Sequence, residues 1–349
     1  MTIGIGVVGA GFISDYHLRA LSELAEADVR VVVARRLERA AAQARRYHVA
    51  RATDDWSEVL SSDEVDAVVV ATPDHTHHEI TLAALRAGKA VLVQKPLAAT
   101  SEQAEELLVA AEEAGVVLCV AFMHRFVDEA VALAALVGEG ALGELHMVRL
   151  RNATGGAGWG RWFYERPEHG AGGVAMQLGV HGIDLLLHLF GDIDAVSGCA
   201  GRHLEHRELD DGSVVAVDTD DYALAHYEMG GGLVASHEMS YTEVAGCDRF
   251  RLEVYGSEGT AWLRQPTPGL WVYTSKGPFG AGWQAPDLPG VAPGRRQHES
   301  FLAQVNGEVA PDGSAADAVQ GLAVVEALQR SVSSRAWEAV RAVRNRSGR

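Results

Sequence analysis

The first third of the sequence alternates short, wholly apolar runs with amphipathic stretches. Residues 3–8, 29–34, 65–71, 91–93 and 116–121 are almost continuous in Val, Ile, Leu and Ala. A strand that is apolar at every position is buried on both faces, as happens when helices cover both sides of a parallel sheet. Between these runs, 15–27, 38–47, 79–87 and 101–113 carry helical periodicity, with Gly88 and Gly115 placed as C-terminal caps. The alternation predicts a doubly wound, nucleotide-binding domain.

The pattern changes after about residue 123. One helix, 126–136, leads into extended runs at 144–152, 195–201, 220–228, 233–241, 249–255, 260–263 and 270–274. Several alternate in sign, such as Phe250, Leu252 and Val254 against Arg249, Arg251 and Glu253. Glycine-rich turns separate them, which predicts a mostly antiparallel sheet. A helix at 179–190 interrupts the strands, a long loop spans 266–296, and helices at 297–306 and 315–331 close the fold. The expected domains are 1–123 and 124–335, with the 315–331 helix able to pack back on the first, followed by a basic tail at 336–349. The class is α/β.

Composition narrows the partners. The 349 residues hold 30 Lys and Arg against 47 Asp and Glu, a formal net charge of −17. That balance disfavours nucleic acid or an anionic membrane, both of which are bound through phosphate neutralisation. Three cysteines without a C-x-x-C argue against a disulfide framework or a structural zinc site. There is no apolar stretch of about 20 residues to cross a bilayer, and the N-terminal residues do not read as a signal peptide. A soluble cytoplasmic protein is expected.

Candidate chemistry begins at Gly9-Ala10-Gly11-Phe12-Ile13-Ser14, a G-x-G-x-x-S turn between a strand and a helix. The first glycine makes the turn and the second lets a pyrophosphate approach the backbone. The helix N-terminus directs unpaired N–H groups at the phosphates. Gly9, Gly11, Phe12 and Ile13 are therefore expected cofactor residues. The second strand ends in Arg35-Arg36, where an NAD site usually has an acid. Arginine suits a 2′-phosphate, so NADP is favoured over NAD, unless these side chains meet only solvent. In Asp74-His75-Thr76-His77-His78-Glu79, adjacent histidines diverge, so no metal site is expected; His75 and His77 frame the cofactor loop or cap the next helix. Gln94-Lys95-Pro96 follows the fourth strand. A lysine there can donate a hydrogen bond to a substrate hydroxyl and steady a developing alkoxide. Trp159, Trp162, Phe163 and Tyr164 suit either a sugar face or a core.

Taken together, Gly9 to Ile13, Ala71-Thr72-Pro73 with His77, Lys95-Pro96-Leu97, His124-Arg125-Phe126, 138–144, Gly172-Gly173-Val174 and Gly179-x-His181-x-x-Asp184 resemble the Gfo/Idh/MocA family of NAD(P)-dependent oxidoreductases. The resemblance implies a Rossmann domain followed by a domain with a large, open, mostly antiparallel sheet that forms a homodimer or homotetramer. It implies Lys95, His181 and position 177 as catalytic groups, with His181 the general base. It also implies Thr72, Pro73, His77, Gln94 and Lys95 at the cofactor, and Lys95, Arg125, Trp162, Gln177 and His181 at the substrate. Two positions depart from the pattern: Gln94 replaces a glutamate, and Gln177 replaces an aspartate and cannot ionise. The implied reaction is hydride transfer between a nicotinamide and a secondary hydroxyl or carbonyl of a sugar, cyclitol or related polyol. Alternatives on the same scaffold are an NAD-dependent glycoside hydrolase acting through transient oxidation, a reductase of an imine or cyclic diol, and a non-catalytic dinucleotide-binding regulator.

Overall fold

The computed structural model describes residues 1–164, 172–245, 248–265, 269–275 and 282–343. The chain divides into two compact units. The first is a βα alternation: β1 (Ile3–Val8), α1 (Phe12–Ser22), β2 (Ala27–Val33), α2 (Leu37–Arg46), β3 (Arg51–Thr53), α3 (Ser57–Leu60), β4 (Ala67–Val70), α4 (His77–Arg86), β5 (Ala90–Val93), α5 (Ser101–Ala114) and β6 (Leu118–Val120). Six strands form one parallel sheet in the order β3-β2-β1-β4-β5-β6. The order reverses between β1 and β4, and ligands of open α/β sheets bind at that switch point, outside the strand C-termini. Local chemistry sets the helix ends. Thr100 caps α5 by accepting from the Gln103 N–H (3.2 Å), and Gly115 ends it in the left-handed region at φ 65°.

The first unit also takes in residues 291–319, which the hydropathy pattern assigns to the second domain. The reason is burial. Helix α8 (Pro293–Val305) sends Phe301 and Leu302 into the same core as Ile3, Ile5, Val7, Leu18, Leu21 and Leu92. Each such side chain contributes about 1.5–3 kcal/mol when removed from water. The boundary then falls within α9 (Ser314–Ser334), earlier and longer than the expected helix.

The second unit opens with α6 (Asp128–Gly138) and β7 (Leu145–Ala153). A π-helical turn (Ala175–Gly179) runs into α7 (Val180–Phe190), then β8 (Ile193–Gly201), a small hairpin of β9 (His206–Glu208) and β10 (Val214–Ala216), and β11 (Tyr222–Met229). The strands β12 (Val234–Ser240), β13 (Phe250–Gly256), β14 (Gly259–Gln265), β15 (Gly269–Thr274) and β16 (Trp283–Gln284) follow. With β17 (Glu338–Ala339) they build a nine-stranded sheet in the order β16-β15-β14-β13-β7-β12-β11-β8-β17. Among the described residues of this sheet, β7 and β12 pair in parallel and the other neighbours pair antiparallel. Strand β17 lies in the stretch expected to be a solvated tail; it adds an edge to β8 at Val196 and Ala195.

Candidate active site

The phosphate turn sits where the topology reverses. Gly9 has φ 125°, and a Cβ there would lie 2.6 Å from the carbonyl carbon of Ala71. Only glycine lets β1 pass that close to the end of β4. At Gly11 a Cβ would meet nothing within 4 Å, so the turn has open space on its outer side. Ser14, at the third glycine position, is fully buried and its Oγ accepts from the Gly11 N–H (3.2 Å). The serine thus closes the turn with a hydrogen bond that glycine cannot make. Phe12 and Ile13 occupy the first helical positions, whose N–H groups have no intrahelical acceptor. Open space beside Gly11, at the N-terminus of a helix, fits a dinucleotide pyrophosphate. Phe12 is exposed, as are Arg35 and Arg36, which lie between β2 and α2; Arg36 pairs loosely with Glu38 (3.9 Å).

His77 organises the next two loops. Its Nδ1 is 2.7 Å from the Pro96 carbonyl and its Nε2 is 2.9 Å from the Thr72 carbonyl. The ring staples the Thr72-Pro73 segment after β4 to the Lys95-Pro96 segment after β5. Burial lowers its pKa, and the two carbonyls pull the other way without restoring it; the neutral ring has one N–H and donates to only one of them. His78, by contrast, turns outward to Glu106 (2.8 Å), so the two histidines point apart. Among the described residues no cluster of His, Cys, Asp and Glu is arranged to hold a metal. Gln94 is buried and Lys95 half-buried at the C-terminal end of β5, and the Lys95–Pro96 bond is cis.

Arg125, expected at the substrate, has a different setting. Its guanidinium donates to the Asp317 carboxylate at 2.6 Å, with side chains 2% and 0% exposed. A buried pair of this kind is committed to holding the start of α9, since removing one partner strands the other charge.

In the second unit the helix carrying Gln177 and His181 is seated by glycines. A Cβ on Gly182 would lie 2.6 Å from Leu150 Cδ2 and 2.7 Å from the His237 ring, and one on Gly179 would run into the Met239 sulfur. These contacts are on β7 and β12, which pair with Leu150 opposite His237. Asn152 of β7 donates to the Leu178 carbonyl (3.2 Å), giving a partner to a carbonyl in the widened π turn. Such turns often mark functional positions in helices. The helix therefore begins earlier than residue 179 and holds buried Gln177, half-buried His181 and buried Asp184 on one continuous element.

The side chain of Trp162 lies outside the described residues. Trp159 is exposed and meets Phe163 edge-on (4.9 Å), whereas Phe163, Tyr164 and Tyr241 pack together as core, with Arg207 over the Tyr164 ring. His237 faces inward beneath Gly182 and touches the Tyr227 hydroxyl (3.1 Å); burial drives its pKa down to about 3. Asn152 and His237 support the site without any signal in the sequence beyond strand parity.

Because Gly182 has no room for a methyl group, Gly182→Ala should lift the His181 helix off the sheet. We expect a loss of about 1–3 kcal/mol of stability by urea unfolding, at least tenfold lower kcat, and unchanged dinucleotide affinity. Wild-type turnover and stability together would contradict this seating.

A family model described as the oxidoreductase family, NAD-binding Rossmann fold, matches residues 3–122, and one described as the GFO/IDH/MocA C-terminal domain matches 130–262. The 1,5-anhydro-D-fructose reductase of Ensifer adhaerens is 32% identical over 265 residues, 73% of this chain and 74% of its own. Levoglucosan dehydrogenase of Pseudarthrobacter phenanthrenivorans is 28% identical over 387 residues, 96% of this chain and 97% of its own. A solved levoglucosan dehydrogenase in complex with NADH and levoglucosan has a TM-score of 0.86 at 26% identity, covering 98% of this chain and 100% of that one. The phosphate turn, the Lys95-Pro96 segment and the helix of His181 thus sit in two domains that both match, and the chain belongs to the Gfo/Idh/MocA family of oxidoreductases.

Proposed function

We propose that this protein is an NAD(P)-dependent dehydrogenase or reductase that moves a hydride between the nicotinamide and a secondary hydroxyl or carbonyl of a sugar, cyclitol or related polyol. Similar proteins named for levoglucosan, 1,5-anhydro-D-fructose and scyllo-inositol support the substrate class. The observation that carries the reading is Lys95, half-buried where β5 ends, in a loop held by His77 to the loop after β4.

The bound nicotinamide supplies the hydride acceptor or donor. Gly11, Phe12 and Ile13 would hold the pyrophosphate of the dinucleotide, Thr72, Pro73 and Gln94 would serve its nicotinamide end, and Arg35 and Arg36 would receive a 2′-phosphate. His181 takes the proton of the substrate hydroxyl as general base. Lys95 offers a hydrogen-bond donor and a positive charge to a substrate oxygen that develops negative charge. Gln177 stays neutral and binds a neighbouring hydroxyl, a role for which an amide suffices.

We also infer that two copies associate through the second-unit sheet. Strand β11 alternates buried and exposed positions, and its outer face shows Tyr222 and Leu224, 40% and 50% exposed, with Val234 of β12 at the far end of the same pair of strands, opposite Glu228. Large apolar side chains left exposed on a sheet face suit contact with another protein surface.

Three outcomes test these readings. Lys95→Ala and His181→Ala should each lower kcat roughly 10²–10⁴-fold with cofactor Kd within about threefold of wild type; unchanged turnover in both contradicts the assignment. Replacing Arg35 and Arg36 with Ala should raise KM for NADP about 10–100-fold and leave NAD nearly unaffected, and equal effects on both cofactors contradict it. Leu224→Glu should halve the mass seen by light scattering, and a wild-type mass would exclude this face.

A further inference from the structure

Behind Gln94, the first unit contains a row of buried polar side chains, His17 and His298, that the reaction scheme above does not use. Gln94 Nε2 lies 2.7 Å from His17 Nε2, His17 Nδ1 lies 2.9 Å from His298 Nε2, and His298 Nδ1 lies 2.6 Å from the Gly294 carbonyl. His17 and His298 are fully buried and Gln94 nearly so. The row joins three elements: α1, which begins at the phosphate turn; the end of β5, which carries Lys95; and α8.

Its protons can be assigned from the far end. A backbone carbonyl only accepts, so His298 must carry its proton on Nδ1. Burial holds His298 neutral, with a pKa down to about 4, so its Nε2 is a bare acceptor. His17 must then donate from Nδ1. Burial and the neighbouring ring keep His17 neutral as well, which leaves its Nε2 as an acceptor. Only the amide nitrogen of Gln94 can fill that place. The reverse direction would set the lone pair of His298 Nδ1 against the Gly294 carbonyl oxygen, or require a buried imidazolium. Among the described residues, no carboxylate acts on either ring. Tyr16 of α1 lies edge-on to His17 (5.3 Å) and donates to Gln297 of α8 (3.3 Å), and both are uncharged; burial pushes the Tyr16 hydroxyl further up.

We propose that His17 and His298 are positioning residues for Gln94: they form with it a one-way hydrogen-bond row that fixes its amide nitrogen toward α1 and turns its carbonyl oxygen to the opposite side, beside Lys95. This explains the departure at position 94. A glutamate there can only accept when ionised, so it would demand a proton on His17 Nε2 and reverse the row into the Gly294 carbonyl. Glutamine at 94 and histidines at 17 and 298 are therefore a matched set. The link to the cofactor rests on the reading of Gln94 as a cofactor residue; the row itself does not.

The row is tested by ¹⁵N NMR of the ring nitrogens in the unliganded wild-type protein. Both His17 and His298 should be neutral Nδ1–H tautomers between pH 6 and 8; an Nε2–H tautomer or an imidazolium at either position overturns the row. If Gln94→Glu folds, the three groups should hold one additional proton. An unfolded glutamate loses its proton near pH 4.3, roughly, while the folded unit keeps it above that. The thermal midpoint of Gln94→Glu relative to wild type should therefore fall as pH rises from about 5 to 8, and parallel curves would contradict the match. For positioning, His298→Ala should move His17 toward Nε2–H and weaken NAD(P) binding several-fold, with His298→Gln restoring both. Correct tautomers with unchanged binding in His298→Ala would end the positioning role, while failure of every sugar substrate would leave these readouts untouched.

Discussion

Helix α1 can begin where it does only because residue 9 has no side chain. The close pass between Gly9 and the end of β4 lets the first strand turn at once into a helix, with its N-terminal amides over the switch point of the sheet. Much of the first unit follows from that one approach. It sets the phosphate turn, and Ser14 locks it. One helical turn further on it delivers His17 under the end of β5, where a buried imidazole that stays neutral leaves a single arrangement of hydrogen bonds to Gln94 and α8.

The second unit solves a similar problem by the same means. A helix that must bring His181 and Gln177 to a defined depth is pressed onto two strands through Gly179 and Gly182, and Asn152 satisfies a carbonyl of its widened first turn. In both units, glycine acts by permitting contact, and a polar side chain satisfies a nearby backbone group: Ser14 from within α1 in the first, Asn152 from β7 in the second. Precision of this order matters in an active site, where small misplacements of a catalytic group are costly.

Much of this was legible in the sequence because strands buried on both faces, a glycine turn and strand-end motifs are local signals. The Rossmann order, the switch to antiparallel strands and the Lys95 loop all follow from them. What was not legible depends on partners far away in the chain. Phe301 and Leu302 look like any helical apolar pair until the core they join is known, so the pattern alone places α8 with the second unit, whereas it packs in the first. Arg125 lies in a family motif, yet Asp317, nearly two hundred residues on, claims its charge. Gln94 looks like a weakened glutamate until His17 and His298 show which proton it must supply.

The account stands on redox chemistry between a carbon-bound hydrogen of a polyol and a nicotinamide. Incubating the protein with NAD(P) and a panel of sugars and cyclitols deuterated at their ring carbinols, then recovering the reduced cofactor, examines that directly. Deuterium should appear at nicotinamide C4 in stoichiometric amount with at least one of them. Tight dinucleotide binding with no label transferred from any substrate in the panel would contradict it.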